Sequence, residues 1–516
     1  MTRSLGEALS LLADKDNINL ENSISRGIEK ESLRVSKDNT ISKADHPSSL
    51  GSALTNKYIT TDFSEALLEL ITPTHSSIEN VLNNLDEICK FVVEKTPETI
   101  WPSSIPCRIE NEDSIRLADY GTSNSGLLKT LYRSGLSYRY GSMMQTVSGI
   151  HYNFSFSDEF FESLRGGEDL QTFKNKSYLS LIRNFRRNAW MILYLFGSSP
   201  VVPKTFITDR ENFLKDLNEE DLFLEYATCL RMSELGYMSK AQDNLFIAYN
   251  NIDDYLKDIK NALTKEHKRY REVGVLKDGK RIQINTSIIQ IENEYYSSIR
   301  PKRVTPPGER PINILRNEGI DYVEIRALDN NSFLPSGIDE DTSYFLEAYL
   351  IGCFFGENKK STQSEIKELL VNWENVVKEG RNPNLKLLKD KEKVTVKDSG
   401  MQVIDSLRNI FDQMPHEMSE YVKKVMKSLD KQEEKLSDAS LTPSGLIIDQ
   451  LKNSNNTWEE LNLELAKEHS NSLKDLEKDL NYLSEEAKSS LEKFKQLGNH
   501  QEEEFEVYLD KFVNDI

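Results

Sequence analysis

Residues 26–35 read Arg-Gly-Ile-Glu-Lys-Glu-Ser-Leu-Arg-Val, and this stretch decides the fold. Its alternation predicts a β-strand with Glu29 and Glu31 on one face, about 6.6 Å apart along the strand. Two carboxylates so close on one sheet face repel each other unless a cation lies between them. Magnesium with a phosphorylated substrate is the usual cation of this kind, because hard cations take oxygen ligands. The stretch therefore predicts one wall of a metal site.

A second candidate strand lies in residues 60–73, where Leu68, Leu70 and Thr72 alternate with Leu67, Glu69 and Ile71 and Pro73 ends the run. As a strand it presents Glu69 as a lone carboxylate among aliphatic side chains. A buried carboxylate without a partner costs several kcal/mol, so Glu69 would need a cation or a proton. A helix that brings Glu65 and Glu69 together at i,i+4 is the alternative.

Two more segments are predicted strands with one polar face. Residues 149–156 alternate His151 and Asn153 with aliphatic and aromatic side chains, which is typical of an antiparallel sheet packed on one side. The second segment is residues 321–329, where Glu324 and Arg326 are two residues apart and therefore share one face of the strand. Taken alone, His151 could be a surface histidine and the Glu324–Arg326 pair a solvated ion pair.

Residues 274–280 resemble a phosphate-binding loop, but the next residue is arginine instead of serine or threonine. The Asp278-Gly279 pair instead predicts a hairpin turn, and we expect a strand over residues 282–291. Helices are predicted over residues 76–95 and 178–196.

Residues 299–303 place three cations, Arg300, Lys302 and Arg303, within four residues of an acidic chain. They are typical of either a solvated basic loop or a polyphosphate contact. If the predicted strands share one antiparallel sheet, their carboxylates and the imidazole converge on one surface. Divalent ions that hold a nucleotide's phosphates would neutralise that surface, and the arginines would face the transferred phosphoryl group.

Composition excludes several classes of function. The 516 residues carry a net charge of -19, which disfavours a nucleic-acid backbone or an anionic membrane as a partner. The polar opening residues do not resemble a signal peptide, and the longest apolar run, residues 189–196, is too short to span a bilayer. The four cysteines lack the spacing of a zinc or dithiol site. We therefore expect a soluble cytoplasmic protein with reduced thiols.

The chain is predicted to have two parts. Residues 1–345 hold the candidate strands and form a catalytic body of sheet and helices. Residues 346–516 are increasingly charged with helical periodicity, and we expect a helical region packed on the body.

Several segments together resemble glutamate–cysteine ligase of the proteobacterial type, in matching order over about residues 20–345. The segments are 26–31, 60–63 with Glu69, 120–124, 144–153, 290–294, 299–303 and 322–326. The resemblance implies an α+β fold with a glutamine-synthetase-like curved antiparallel sheet that forms a funnel. It also implies ATP-dependent ligation of L-glutamate to L-cysteine through an acyl phosphate, the first step of glutathione synthesis.

The resemblance assigns roles to individual residues. The implied magnesium ligands are Glu29, Glu31, Asp62, Glu69, His151 and Glu324. The implied nucleotide-binding residues are Arg300, Lys302, Arg303 and Arg326, of which Arg326 faces the transferred phosphoryl group. The implied amino-acid pocket consists of Phe63, Tyr132, Leu136, Gln145, Asn153, Arg231 and Tyr237. The implied catalytic residues are Glu29, Glu324 and Arg326.

The implied cofactor is Mg²⁺, with Mn²⁺ as an alternative, and ATP is a substrate. The resemblance further implies feedback inhibition by glutathione, and a monomer is expected. Two other functions stay open: a ligase that joins glutamate to a different amine, and a non-catalytic protein that binds metal or nucleotide on the same sheet.

Overall fold

The computed structural model describes residues 20–207, 211–236, 240–242, 245–306, 308–414, 419–499 and 503–516. Its strands are β1 Ile24–Val35, β2 Ile59–Thr61, β3 Leu67–Ile71, β4 Thr99–Ile100, β5 Ile150–Phe156, β6 Val201–Pro203, β7 Lys215–Asp216, β8 Asp221–Phe223, β9 Leu276–Lys277, β10 Lys280–Arg281, β11 Ile299–Lys302, β12 Tyr322–Leu328, β13 Lys386–Lys389 and β14 Glu392–Thr395.

The helices of the described residues, 3₁₀ turns aside, are α1 Ile78–Lys95, α2 Asn124–Tyr140, α3 Asp158–Leu164, α4 Leu170–Arg187, α5 Trp190–Phe196, α6 Ile252–Thr264, α7 Lys268–Val273, α8 Pro311–Glu318, α9 Glu340–Phe355, α10 Gln363–Glu379, α11 Val396–Phe411, α12 Ser419–Ser437, α13 Pro443–Asn453, α14 Trp458–Asp475, α15 Asn481–Asn499 and α16 Phe505–Asn514. None of them is long and apolar enough to cross a membrane.

The main sheet has seven antiparallel strands in the order β11-β12-β5-β1-β3-β2, with β4 paired to the far end of β1. Strands β11 and β2 form its two edges. The predicted strands at residues 26–35, 67–72 and 149–156 are confirmed, the second as Leu67–Ile71. The strand interpretation of Glu69 is therefore correct, and the helical alternative is wrong.

One face of the sheet packs into the protein core. Ile28, Tyr152, Phe154 and Ile325 are fully buried on it, as period-two alternation requires. The same face of β1 also carries Arg26, which is fully buried as well. The core extends into the helices after β12, because buried side chains of the sheet and of those helices belong to one hydrophobic cluster.

Two predicted elements differ from the structure. Residues 282–291 do not form a strand; only the Asp278-Gly279 hairpin between β9 and β10 is confirmed, with both turn residues at positive φ. The helix predicted over residues 178–196 is two helices, α4 and α5. Asn188 ends α4 because its backbone N–H turns back to the Phe185 carbonyl and tightens the last turn.

The division into residues 1–345 and 346–516 stays a prediction. Its boundary falls inside α9, and the later part contains the β13–β14 hairpin as well as helices. Lys90 of α1 donates to the Lys474 carbonyl in α14, so the two parts are in direct contact.

A buried ion pair joins the core face of the sheet to the helices. Arg26 Nε and Nη2 donate to the two carboxylate oxygens of Glu347 on α9, at 2.5 and 2.9 Å. The hydroxyls of Tyr152 and Tyr421 donate to the same carboxylate at 3.0 and 2.8 Å. Glu347 thus links β1, β5, α9 and α12.

We predict that Glu347→Gln destabilises the protein by about 3–5 kcal/mol, because it leaves the Arg26 charge buried without a counter-charge. The measurement is the free energy of unfolding in urea. Glu110→Gln is the control, since Glu110 pairs with Lys43 at 3.3 Å on the exposed surface; such pairs contribute less than about 1 kcal/mol. Equal losses in the two variants would contradict the prediction.

Candidate active site

Strand pairing brings the predicted polar positions together. In the β1–β5 pair Glu29 lies opposite His151, and in the β1–β3 pair Glu31 lies opposite Glu69. Strand β12 lies on the other side of β5 and adds Glu324. The expectation that these strands share one antiparallel sheet, with their acidic side chains on one face, is confirmed.

His151 lies at the centre of the acidic residues. Its Nδ1 is 2.9 Å from Glu29 Oε2, and its Nε2 is 3.7 Å from Glu31 Oε1. The ligand atoms of Glu29, Glu69 and His151 all lie within 4.8 Å of one another. One divalent ion can be held by all three at this spacing.

The protonation of the acidic residues reflects their crowding. Burial raises the pKa of Glu69 well above its ordinary value, and the nearby charges of Glu29, Asp62 and Glu31 raise it further. Burial also raises the pKa of Glu31, against the opposing effect of His151. Burial would raise the pKa of Glu29 too, but the hydrogen bond and charge of His151 together with the charge of Lys302 outweigh it, so this pKa is lowered. Glu69 is therefore the carboxylate that most needs a cation.

Glu324 has a different environment, because cations surround it. Arg326 Nη1 lies 3.2 Å and Lys302 Nζ 3.6 Å from its Oε1, and Arg300 Nη1 lies 3.9 Å from its Oε2. Burial would raise the pKa of Glu324, but the positive charges, that of Lys302 first, hold it well below its ordinary value. These cations gather at the β11–β12 edge of the acidic face. Residues 299–302 form strand β11, so the interpretation of these residues as a solvated loop is wrong.

The acidic face forms one wall of a cavity of about 340 Å³. Helix α2 forms another wall and begins at Ser123, whose hydroxyl accepts from the Gly126 N–H and caps the helix. One side of α2 faces the cavity and contributes Lys129, Tyr132, Arg133 and Leu136. This spacing of three, four and seven residues marks a single helix face.

Arg231 also lines the cavity and is almost fully buried. Its Nε donates to Asp329 Oδ1 at 2.6 Å, and its Nη2 donates to the Leu328 carbonyl at 2.8 Å. The cavity wall at Gly149 approaches so closely that an added Cβ would lie 2.8 Å from Arg231 Nη1. Glycine is therefore required there for Arg231 to reach the cavity.

Most residues predicted for the site line the cavity. They are Glu29, Glu31, Asp62, Glu69, Tyr132, Leu136, Gln145, His151, Arg231, Arg300, Lys302, Glu324 and Arg326.

The other predicted residues lie elsewhere. Asn153 Nδ2 donates to Glu29 Oε1 at 2.9 Å but does not line the cavity. Phe63 is buried in the core. Arg303 donates to Glu318 and lines a neighbouring cavity. Tyr237 lies outside the described residues. The roles implied for these four residues stay predictions.

Sequence reasoning missed several cavity residues. Lys129 and Arg133 share the helix face of Tyr132 and Leu136, so the helical period alone could have found them. Tyr296 accepts a hydrogen bond from Gln145 Nε2 at 3.1 Å, but no sequence pattern links residues so far apart. Phe512 comes from α16, which no motif connects with the site.

Comparison with known proteins decides the family. The family model for glutamate-cysteine ligase matches residues 9–376. The chain belongs to the glutamate–cysteine ligase family. The resemblance drawn from the sequence is therefore confirmed, and the chain is an enzyme of the ligase class.

Individual relatives agree with this assignment. The glutamate–cysteine ligase of Pseudomonas entomophila is 43% identical over 479 residues, which cover 91% of this chain and 89% of that protein. The crystal structure of glutamate–cysteine ligase from Francisella tularensis in complex with AMP superposes with a TM-score of 0.89 at 36% identity, over 95% of this chain and 97% of that one.

A bifunctional glutathione synthetase from Pasteurella multocida has a TM-score of 0.67 at 24% identity, over 91% of this chain and 53% of that one, and this likeness concerns the fold alone. The α+β fold class with an open antiparallel sheet is thus that of a solved glutamate–cysteine ligase.

We predict that Glu69→Gln stabilises the metal-free protein at pH 8. A carboxyl whose pKa is raised on folding lowers stability as pH rises from its unfolded value near 4.5 toward the folded value. The gain should therefore be present at pH 8 and vanish near pH 4, where the carboxyl is mostly protonated in both states. Urea unfolding in a chelator at both pH values is the measurement. No gain at pH 8, with Glu110→Gln as the control, would contradict the prediction.

Proposed function

We propose that this cavity joins L-glutamate to L-cysteine with ATP and releases γ-glutamylcysteine, ADP and phosphate. Membership of the glutamate–cysteine ligase family makes the chain an ATP-dependent ligase of the first step of glutathione synthesis. One observation supports this site above others: a crowded carboxylate cluster lies directly beside three cations, Arg300, Lys302 and Arg326, on one sheet face. Metal-bound phosphate transfer requires both groups.

The donor set fits Mg²⁺, with Mn²⁺ as an alternative. Buried Glu324 Oε2 has no hydrogen-bond partner among the described residues, and the raised pKa of Glu69 indicates a carboxylate that a cation would stabilise. The proposed ligands are Glu29, Glu31, Asp62, Glu69, His151 and Glu324. When bound, the metal would offset charge on the phosphoryl oxygens of ATP. A histidine is an unusual partner for a hard cation, so we assign the carboxylates first.

The nucleotide would extend from the cations at β11 into the neighbouring cavity of about 260 Å³. The two cavities share Arg300 and Lys302, and Arg303 lies in the second. The walls of this second cavity are mostly apolar and include Tyr255, Leu256, Ile259, Ile312, Leu315 and Tyr322. We assign the phosphates to the shared cations and the nucleoside to the apolar part.

The amino acids would occupy the end of the first cavity that α2 and Arg231 enclose. Tyr132, Leu136 and Gln145 line this end, and Arg231 offers a guanidinium to a carboxylate. Phe63, Asn153 and Tyr237 would complete the pocket, as the sequence predicts.

The reaction needs an activated carboxylate, because a carboxylate ion is a poor electrophile. The γ-carboxylate of glutamate would attack the γ-phosphorus of ATP, with ADP as the leaving group, and the cysteine amine would then displace phosphate from the acyl phosphate. Arg326 would stabilise the charge that develops on the phosphoryl oxygens. No protein nucleophile is required. Cys89, Cys107, Cys229 and Cys353 are all buried, and none lines the cavity.

The remaining expectations belong to the same proposal. The sheet would form a glutamine-synthetase-like funnel, since its acidic face, α2 and Arg231 enclose the cavity. Glutathione contains the γ-glutamylcysteine unit, so it would bind at the same place and inhibit. A cytoplasmic location and a monomeric state stay predictions of the sequence.

The nearest alternative is ligation of glutamate to another amine, and ADP release with a panel of amines separates the two. A protein that only bound metal and nucleotide would show no release that depends on the amino acids.

We predict that Glu29→Gln and Glu324→Gln each lower the turnover number by about a hundredfold or more, because each removes a charge at the phosphoryl site, where single groups contribute about 10²–10³. The measurement is ADP release with glutamate, cysteine and Mg²⁺, with the unfolding midpoint as a check on the fold. Ordinary turnover in Glu29→Gln would contradict the metal assignment. Glu110→Gln serves as the control.

A further inference from the structure

The cations that line the first cavity are almost all paired with a carboxylate. Arg300, Lys302 and Arg326 surround Glu324. Arg231 pairs with Asp329 at 2.6 Å, and Arg133 Nη2 lies 3.7 Å from Asp62 Oδ1. Each of these five cations therefore has a carboxylate oxygen within 4.0 Å, although three of them share Glu324.

Lys129 is the exception. Its side chain lines the cavity and is exposed. Within the part of the chain that the structure describes, no carboxylate oxygen lies within 4.0 Å of its ammonium. The lysine is the cavity's one lysine or arginine side chain without an ion pair among those residues. Burial lowers the pKa of Lys129 to about 8, so most of this lysine is charged at neutral pH and can pair with an anionic ligand.

The ammonium of Lys129 is held in place by an aromatic ring. Its Nζ lies 5.1 Å from the centre of the Tyr120 ring, a cation–π distance. The ring is itself fixed, because the Tyr120 hydroxyl donates to the carbonyl of Thr61 at 2.6 Å and lies 3.1 Å from that of Asp62. Lys129 thus lies near Asp62 and Glu69, whereas Arg231 approaches from Gly149 and Leu328.

The substrates set the number of anions that the cavity must bind. The triphosphate is assigned to the metal site and the cations of β11 and β12. The γ-carboxylate of glutamate must face the same group, because it receives the phosphoryl group. Two α-carboxylates remain, one on each amino acid, and Arg231 accounts for one of them.

We propose that Lys129 binds the α-carboxylate of the amino-acid substrate that Arg231 does not hold. This inference rests on the proposed function. A lysine suits this task because it is a compact charge with three donors on a flexible stem and can follow a substrate as it moves toward the acyl phosphate.

The first test compares Lys129→Met, Lys129→Arg and the wild type. We expect Lys129→Met to raise the KM of one amino acid by about tenfold or more, the effect of losing a charged hydrogen bond. The KM values of the other amino acid and of ATP should change by less than about twofold, because neither ligand loses a charged hydrogen bond. Lys129→Arg should recover part of the loss. An unchanged KM for both amino acids, an equal rise for both, or a rise confined to ATP would overturn the proposal.

The matched control is Lys95→Met. Lys95 ends α1 away from the cavity, is exposed, and has its Nζ 5.8 Å from the Phe91 ring centre. It therefore reproduces a lysine over an aromatic ring without a substrate nearby. Its kinetic constants should match the wild type, and both methionine variants should keep the wild-type unfolding midpoint. An equal KM rise in the control would also overturn the proposal.

A second test asks whether the carboxylate itself is recognised. Inhibition constants would be measured for 4-aminobutyrate and cysteamine, which are glutamate and cysteine without the α-carboxylate. For the substrate that Lys129 holds, wild-type enzyme should favour the intact amino acid, and this preference should shrink about tenfold in Lys129→Met. An undiminished preference for both pairs would overturn the proposal. Absence of ligation in the wild type would instead refute the proposed function.

Discussion

Electrostatic repulsion within one sheet face is the constraint on which this structure depends. Antiparallel pairing places Glu31 opposite Glu69 and Glu29 opposite His151, so acidic side chains that are distant in sequence become neighbours. A slip of one residue in β1 would turn both glutamates into the core, because side chains alternate between faces. Burial of the hydrophobic face therefore determines the register of β1, and this register determines which polar side chains become neighbours on the acidic face.

A buried charge on the core face of the sheet has a different environment from the charges on the acidic face. Arg26 is also a buried charge on β1, but Glu347 neutralises it within the protein. On the acidic face Glu69 has no ion pair among the described residues, and its pKa is raised by burial and by the neighbouring carboxylates. The same strand therefore carries one ion pair that serves stability and one cluster that is suited to bind cations. The helices after β12 take part in both, since Glu347 supplies the pair and Phe512 reaches the cavity.

Much of this could be predicted from the sequence, because two-residue periodicity reports which side chains share a face. The alternation of β1 and β5 predicted both strands and their acidic or polar positions. The register between strands could not be predicted, since it depends on partners distant in the chain. Residues 282–291 alternate for another reason: Gln283 and Gln290 are buried and bind Arg139 and the Tyr132 carbonyl, so these residues wrap around side chains and pair with no strand among those described. The pairing of Arg231 with Asp329 likewise has no local signal.

Anomalous diffraction from crystals with Mn²⁺ and a non-hydrolysable ATP analogue tests the central claim most directly, because it locates each ion among the carboxylates. The separation of Glu29 and Glu31 along β1 predicts at least two ions, with the two glutamates on different ions and Glu69 sharing one with Glu29, as their spacing with His151 permits. A single ion bound to both Glu29 and Glu31, or peaks away from the acidic face, would contradict the account.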